Sequence, residues 1–186
     1  MPDPPVFRPR SICIKVAEPF QDFFDWRPTR QPFDRFNIAL TPLRPRQLRS
    51  MPRLMHCHYM KNGYLSNGDL WPQGSADADT YNFAYWQYVD LFCYFAHRRI
   101  TIPPPWFINA AHQNGIPVIG TVIFENLDGG NPQVLKDLSA MFSPSTGKPM
   151  QACAILIEMA RHYGFEGWLF NLESSLPGDV KANDME

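Results

Sequence analysis

The stretch GWLFNLE, residues 167–173, predicts a strand that is apolar along most of its length and polar at its end. Because successive side chains of a strand point to opposite faces, Asn171 and Glu173 are expected side by side on one face. An amide donor beside a carboxylic acid is a usable acid catalyst with its own positioning group. If flanking apolar side chains bury that acid, its pKa is expected to be raised. A plainer interpretation stays open, in which Asn171 only turns the chain and Glu173 is an ordinary exposed acid.

Three more apolar runs predict strands before this one, at residues 54–59, 89–95 and 116–124. Continuous apolar strands are typical of parallel sheets that are buried on both faces. The spacing between the strands suits a (β/α)8 barrel with enlarged loops, although such barrels usually need ~250 residues. The predicted fold is therefore α/β, of the TIM-barrel type, with only about the first four β/α units present. A doubly wound open sheet is disfavoured, because no GxGxxG follows the first strand.

Helical periodicity separates the later strands. Residues 149–163 repeat apolar positions at i, i+3 and i+4 and end before Gly164, a favourable stop signal. Residues 104–114 and, more weakly, 131–141 also predict helices. Strands that alternate with helices indicate right-handed βαβ units.

The chain divides into two parts at about residue 53. Residues 1–52 are rich in proline and arginine and are interpreted as a lead-in, in which a short helix at 22–28 is stopped by its proline. Residues 53–186 are predicted to form the first half of the barrel. Arginines 44, 46, 49 and 53 are interpreted as part of a solvated linker, in preference to a basic patch.

Composition excludes several classes of partner. A net charge of −1 gives no electrostatic reason to expect nucleic acid or an anionic membrane. The sequence contains no apolar run of ~18 residues, so no membrane span is predicted, and the amino terminus does not resemble a signal peptide. The cysteines at 13, 57, 93 and 153 form no CxxC motif, which disfavours a zinc site or a redox motif. We therefore expect a reduced, cytosolic protein without a cofactor.

Polar residues lie at or just after the carboxyl ends of all four predicted strands, at 56–59, 97–99, 125–126 and 171–173. Carboxyl ends of barrel strands line active sites, so these positions predict a polar cleft. His56 and His58 share a strand face, but a metal site would need a third ligand such as Glu125. Lining of the cleft is the favoured role for these histidines.

Glu125 and Glu173 end what should be neighbouring strands, ~4.8 Å apart. Two carboxylates ~5–5.5 Å apart can serve as the nucleophile and acid of a retaining glycosidase. Alternatively, Glu125 caps a loop or pairs with an arginine such as Arg98. Both interpretations stay open on the residues alone.

Six long segments carry a resemblance to one family, in the same order along the chain: residues 56–64, 85–90, 94–104, 108–115, 120–125 and 167–173. Together they resemble glycoside hydrolase family 85, the endo-β-N-acetylglucosaminidases that act on N-glycans. The resemblance implies a TIM barrel that cuts the GlcNAc-β-1,4-GlcNAc core with retention, through attack by the 2-acetamido group of the substrate. Asn171 would orient that acetamide, and Glu173 would act as acid and then base. Glu125, His58, His97 and Trp168 are the expected substrate-binding residues.

The chain departs from the family pattern at two positions. Tyr59 stands where the family has an acid, and Asn126 stands where an aromatic residue usually follows Glu125. The expected partners are N-linked glycans and glycoproteins. A half barrel would also leave open strand edges, which favours self-association. The alternative function is a non-catalytic fragment that at most binds glycan or another chain.

Overall fold

The computed structural model describes residues 13–14, 21–28, 37–46, 52–59, 82–126 and 131–185, which form one mixed sheet covered by helices. None of the described helices has both the length and the apolar character needed to cross a bilayer. The strands are β1 (Cys13–Ile14), β2 (Met55–Tyr59), β3 (Leu91–Phe95), β4 (Ile100–Thr101), β5 (Val118–Glu125) and β6 (Gly167–Glu173). The helices are α1 (Gln21–Phe24), α2 (Pro105–Gln113), α3 (Pro132–Phe142) and α4 (Pro149–Tyr163), with 3-10 turns at Trp86–Tyr88, Pro144–Thr146 and Ala182–Met185.

The four predicted strands are confirmed as the parallel part of the sheet. β2 pairs with β3, β3 with β5, and β5 with β6, all in parallel. β5 is central, and β6 pairs with it from Ile119 to Glu125, so that both strands end at the same level. This shared end brings the polar termini of β5 and β6 together.

Two short antiparallel strands were not predicted. β4 follows β3 directly and pairs with β5 through Val122 and Thr121, and β1 pairs with β4. Each is two residues long, which is too short for any hydrophobic pattern to show. Because β6 occupies one edge of β5, β3 and β4 lie in succession along the other.

The helices follow the predicted periodicity. α4 matches the predicted range and ends at Gly164, which has a left-handed φ of 83°. α2 is followed by Gly115, whose φ is 72°. Glycine tolerates this backbone region without a steric penalty, so both turns stop their helices where the sequence indicated. The residues that α4 buries are Ala152, Ile155, Leu156, Met159, Ala160 and Tyr163.

Part of the segment interpreted as a lead-in packs on the same core. Phe23 and Trp26 are buried, and the Trp26 indole donates a hydrogen bond to the Tyr163 hydroxyl over 3.1 Å. Arg46 donates to the Val89 carbonyl and lies 3.8 Å from the Asp90 carboxylate, so the solvated-linker interpretation is wrong for this residue. Arg49 lies outside the described residues. The boundary at residue 53 stays a prediction.

A buried ion pair fixes the far end of β5. Arg99, just before β4, donates from Nε to Asp137 of α3 over 3.1 Å and from Nη1 to the Ile123 carbonyl. Its guanidinium also lies 4.4 Å from the ring centroid of Phe124. Burial lowers the pKa of Arg99 and raises that of Asp137, although their mutual attraction opposes both shifts. The pair anchors α3 and β4 to the residues that immediately precede Glu125.

Candidate active site

Asn171 and Glu173 lie side by side at the end of β6, as their spacing predicted. The Asn171 amide donates from Nδ2 to Glu173 Oε1 over 3.0 Å. Glu173 is exposed and Asn171 is half-buried. The flanking apolar residues at 168, 170 and 172 point to the opposite face of the strand and do not enclose the carboxyl. The pair is therefore accessible to a ligand from the solvent side.

Glu125 is the direct register partner of Glu173 in the β5–β6 ladder. The backbone N–H of Asn126 donates to the Glu173 carbonyl over 2.9 Å, which extends the pairing past the strand ends. His97 Nδ1 lies 3.1 Å from Glu125 Oε1 and 3.0 Å from Oε2. The predicted alternative of a pairing with Arg98 is thus replaced by a pairing with the preceding histidine.

His97 is also part of an aromatic contact with β2 and β3. The rings of Tyr59 and Phe95 each approach the imidazole edge to face, with centroids 5.3 Å away. Tyr59 is 45% exposed. The sequence placed this tyrosine at a polar strand end, 56–59, and marked it as a departure from the family pattern. No sequence signal indicates its contact with His97, because the two residues lie 38 positions apart.

These residues form a row along the strand ends, which we call the strand-end row: Tyr59, His97, Glu125, Asn171 and Glu173. Its members come from β2, the turn after β3, and the ends of β5 and β6. The row combines one exposed aromatic ring with carboxylates, an amide and an imidazole. Such a set can donate and accept hydrogen bonds to hydroxyl groups and can transfer a proton.

The structure places His58 away from the row. Its side chain is 1% exposed and packs against Phe92, Tyr94 and Phe107, on the helix side of β2. Burial, together with the neighbouring His56, lowers the pKa of His58 to about 4. Sequence alternation indicated correctly that the two histidines share a face, but that face is turned toward the helices.

Trp168 also lies on the helix side. Its indole donates to the Leu156 carbonyl of α4 over 2.9 Å, and its ring packs edge to face on Phe165. The ring also fills the space above Gly120, where an added Cβ would lie 2.9 Å from it. Trp168 therefore joins β6 to α4 and does not reach the row.

A metal site on His56, His58 and Glu125 is not assembled, because the histidines and the carboxylate lie on opposite faces of the sheet. Within the described ranges, no group of three or more metal-ligating side chains converges. The metal alternative has no geometric support in this part of the chain.

A second polar cluster lies at the other end of the strands. His112 of α2 faces the Thr41 carbonyl through Nδ1 at 2.6 Å and Glu166 Oε2 through Nε2 at 3.2 Å. Both partners accept hydrogen bonds, so both ring nitrogens must donate, which requires the charged imidazolium. Burial opposes the charge, but these hydrogen bonds outweigh it and raise the pKa of His112. The cluster borders a depression of about 430 Å³ at the amino ends of the strands, far from the row.

The chain is similar to known proteins over most of its length. The model of the family described as glycosyl hydrolase family 85 matches residues 64–186. A Gallus gallus protein named cytosolic endo-beta-N-acetylglucosaminidase is 40% identical over 166 residues, which cover 88% of this chain and 22% of that protein. The Homo sapiens protein of the same name is 39% identical over 173 residues, 91% of this chain and 22% of the relative. An Arabidopsis thaliana relative, cytosolic endo-beta-N-acetylglucosaminidase 1, is 37% identical over 93% of this chain and 25% of its own length. The chain thus spans about a quarter or less of these relatives.

The structural comparison supports the predicted fold class. The glycoside hydrolase domain of Endo-D from Streptococcus pneumoniae R6 superposes with a TM-score of 0.73 at 21% identity, over 90% of this chain and 26% of that one. At this identity, the likeness speaks for the fold alone. The predicted α/β architecture, a partial barrel of parallel strands and helices, is confirmed.

Proposed function

The chain belongs to glycosyl hydrolase family 85, and from that premise we propose that it carries the catalytic pair of an endo-β-N-acetylglucosaminidase. The proposed reaction cleaves the GlcNAc-β-1,4-GlcNAc core of N-glycans and leaves one sugar on the glycoprotein. The observation that carries the proposal is the 3.0 Å contact between Asn171 and Glu173 on one exposed strand face.

The proposed mechanism uses the substrate's own acetamide as nucleophile. The acetamide oxygen attacks the anomeric carbon while Glu173 gives a proton to the departing oxygen, and an oxazolinium ion forms that keeps the acetamide N–H. Glu173 then takes a proton from the attacking water, and the ring opens with net retention. Holding the internal nucleophile in line removes an entropic part of the barrier.

The polar atoms of Asn171 suit the orienting role. One N–H of its amide is used by Glu173, which leaves a second N–H and a carbonyl oxygen for other contacts. The carbonyl can accept from the N–H of a substrate acetamide, and this contact would turn the acetamide oxygen toward the anomeric carbon. The same side chain would then position both the nucleophile and the acid.

Glu125 fits a sugar-binding or electrostatic role in this scheme. Its place opposite Glu173 keeps a two-carboxylate mechanism geometrically open, because neighbouring strands are ~4.8 Å apart. Both of its oxygens, however, are within hydrogen-bond distance of His97. A carboxylate held in this way is a poorer nucleophile, so we favour binding of substrate hydroxyls by Glu125 and His97.

His58 and Trp168 receive a different role in the proposal. Both lie on the helix side of the sheet, where they pack against α2 and α4. We assign them to the core that supports the strands. In the proposal Tyr59 contacts the substrate, because its exposed ring lies beside His97.

The proposed substrates are N-linked glycans on glycopeptides and glycoproteins, and the proposed location is the cytosol. Both proposals rest on the names of the relatives.

The competing proposal is a non-catalytic fragment that binds glycan or another chain. Exposed apolar residues on the face of β2 opposite the helices, such as Met55 at 47%, favour self-association, which sedimentation velocity would detect.

Incubation with a high-mannose glycopeptide tests the proposal. Mass spectrometry should show the peptide with a single N-acetylglucosamine, and Glu173→Gln should abolish its appearance. Glu158→Gln is the matched control, because Glu158 is an exposed acid on α4. Binding of the glycopeptide without any product from the unaltered chain would instead support the non-catalytic fragment.

A further inference from the structure

Two cysteines lie directly opposite each other on the sheet face that is turned away from the helices. Cys57 of β2 and Cys93 of β3 are register partners in a parallel ladder. Neighbouring strands are ~4.8 Å apart, which falls within the Cα separation of ~4.4–6.8 Å that a disulfide spans. Both residues are reduced in the structure.

The two thiols differ in their surroundings. Cys57 is exposed, whereas Cys93 is fully buried. A hydrogen bond from Cys93 lowers the pKa of Cys57 to about 7, because it stabilises the thiolate. The same hydrogen bond raises the pKa of Cys93, and burial of the Cys93 thiol raises it further. An accessible, ionisable thiol therefore lies beside a buried, protonated one.

This asymmetry matches the division of labour in thiol oxidation. The more reactive thiol must be a thiolate that solvent can reach, and the second must lie close enough to condense with the oxidised sulfur. Spacing along the chain hides the pair, because 36 residues separate the two cysteines. Only the β2–β3 register brings them together.

We propose that Cys57 and Cys93 form a peroxide-oxidisable pair, in which Cys57 reacts first and Cys93 closes an intramolecular disulfide. The Cys57 sulfur attacks hydrogen peroxide, the O–O bond breaks, and a sulfenic acid and one water form. The Cys93 sulfur then attacks the sulfenic sulfur, the S–O bond breaks, and a second water leaves with the Cys93 proton. In total, two thiols lose two electrons and two protons, and one peroxide becomes two waters.

The consequence for the molecule is a covalent link between β2 and β3. It would lie on the sheet face that also carries Tyr59 and would constrain the unfolded chain. The proposal does not depend on glycosidase activity, because its chemistry needs only the two thiols and an oxidant.

The test uses the whole chain treated with hydrogen peroxide at neutral pH, then alkylated and measured by intact mass and peptide mapping. We expect the loss of two hydrogen atoms, two fewer alkylated cysteines, a peptide cross-link from 57 to 93, and a raised melting temperature. In the untreated protein, alkylation should modify Cys57 several-fold faster than Cys153, an exposed cysteine on α4.

Three variants give the controls, each checked for its fold by circular dichroism. Cys93→Ser should block the cross-link and let dimedone trap the sulfenic acid at Cys57. Cys57→Ser should prevent both products, and Cys153→Ser should behave like the unaltered chain. A cross-link that involves Cys13 or Cys153, or a Cys57 that resists peroxide in the folded protein, would overturn the proposal.

Discussion

Glu125 and Glu173 are neighbours across the β5–β6 ladder, yet different groups bind their carboxylates. The imidazole of His97 contacts both oxygens of Glu125, whereas the amide of Asn171 donates to one oxygen of Glu173. Paired carboxylates with unlike surroundings usually have unlike roles. This asymmetry leads to distinct expectations for the two acids.

Replacement of either glutamate should therefore give a different kinetic result. Glu173→Gln should lower kcat by about 10²–10⁴-fold, which is the usual contribution of a general acid. Glu125→Gln should act mainly on KM, because Glu125 is assigned to sugar binding. Steady-state kinetics on a glycopeptide separate the two effects. Accumulation of a glycosyl-enzyme with the sugar bound covalently to Glu125 would favour the two-carboxylate mechanism instead.

Asn171→Ala should suppress cleavage of the intact glycan but leave hydrolysis of a preformed sugar oxazoline partly intact. The oxazoline already contains the bond that Asn171 is proposed to help form, so only the later steps remain. Chromatography of the products formed from the intact glycan and from the oxazoline measures the two rates. Asn183→Ala, at an exposed position in the last 3-10 turn, is the control. Equal losses on both substrates would contradict the orienting role.

Tyr59 should influence substrate binding through its contact with His97. Loss of an edge-to-face aromatic contact is worth about 1 kcal/mol, or about fivefold in KM. Tyr59→Ala should show this loss, and Tyr59→Phe, which keeps the ring, should show little of it. Exposed Tyr85 provides a control position for the same Ala substitution. A Phe variant as impaired as the Ala variant would assign the effect to the hydroxyl.

The sequence predicts elements much better than it predicts the faces they present. α4 and β6 were found because their periodicities are long and glycine stops the helix at residue 164. In a sheet with apolar residues on both faces, alternation shows which side chains share a face but not which face meets the helices. For this reason alternation indicates that Asn171 and Glu173 lie side by side, but it does not indicate that His58 and Trp168 lie on the helix side. Register between strands, which pairs Cys57 with Cys93, is set by tertiary packing and leaves no mark in one strand's own pattern.

His112 should make stability depend on pH. Its folded-state pKa is raised above the ordinary value of 6.5, so its contribution is fully present below that pH and is lost as the pH rises through the folded pKa. His112→Gln should remove about 1.5–3 kcal/mol at a pH below 6.5, the usual range for a hydrogen bond to a charged group. Urea unfolding of the unaltered chain and of the His112 variant, at pH values below and above 6.5, measures the difference in unfolding free energy. The exposed Glu158→Gln variant should show the same pH dependence of the unfolding free energy as the unaltered chain. A difference in unfolding free energy between the His112 variant and the unaltered chain that widens above neutral pH would contradict the charged assignment.

The Arg99–Asp137 pair should be coupled strongly, because both side chains are almost completely buried, at 1% and 2% exposed. Removal of one partner leaves an uncompensated buried charge, so Arg99→Met or Asp137→Leu alone should cost about 3–5 kcal/mol. The double variant should cost clearly less than the sum, since neither charge remains. A double-mutant cycle by chemical denaturation measures the coupling. Strictly additive losses would show that the two side chains stabilise the fold independently, Arg99 through Phe124 of β5 and Asp137 through Gln133 of α3.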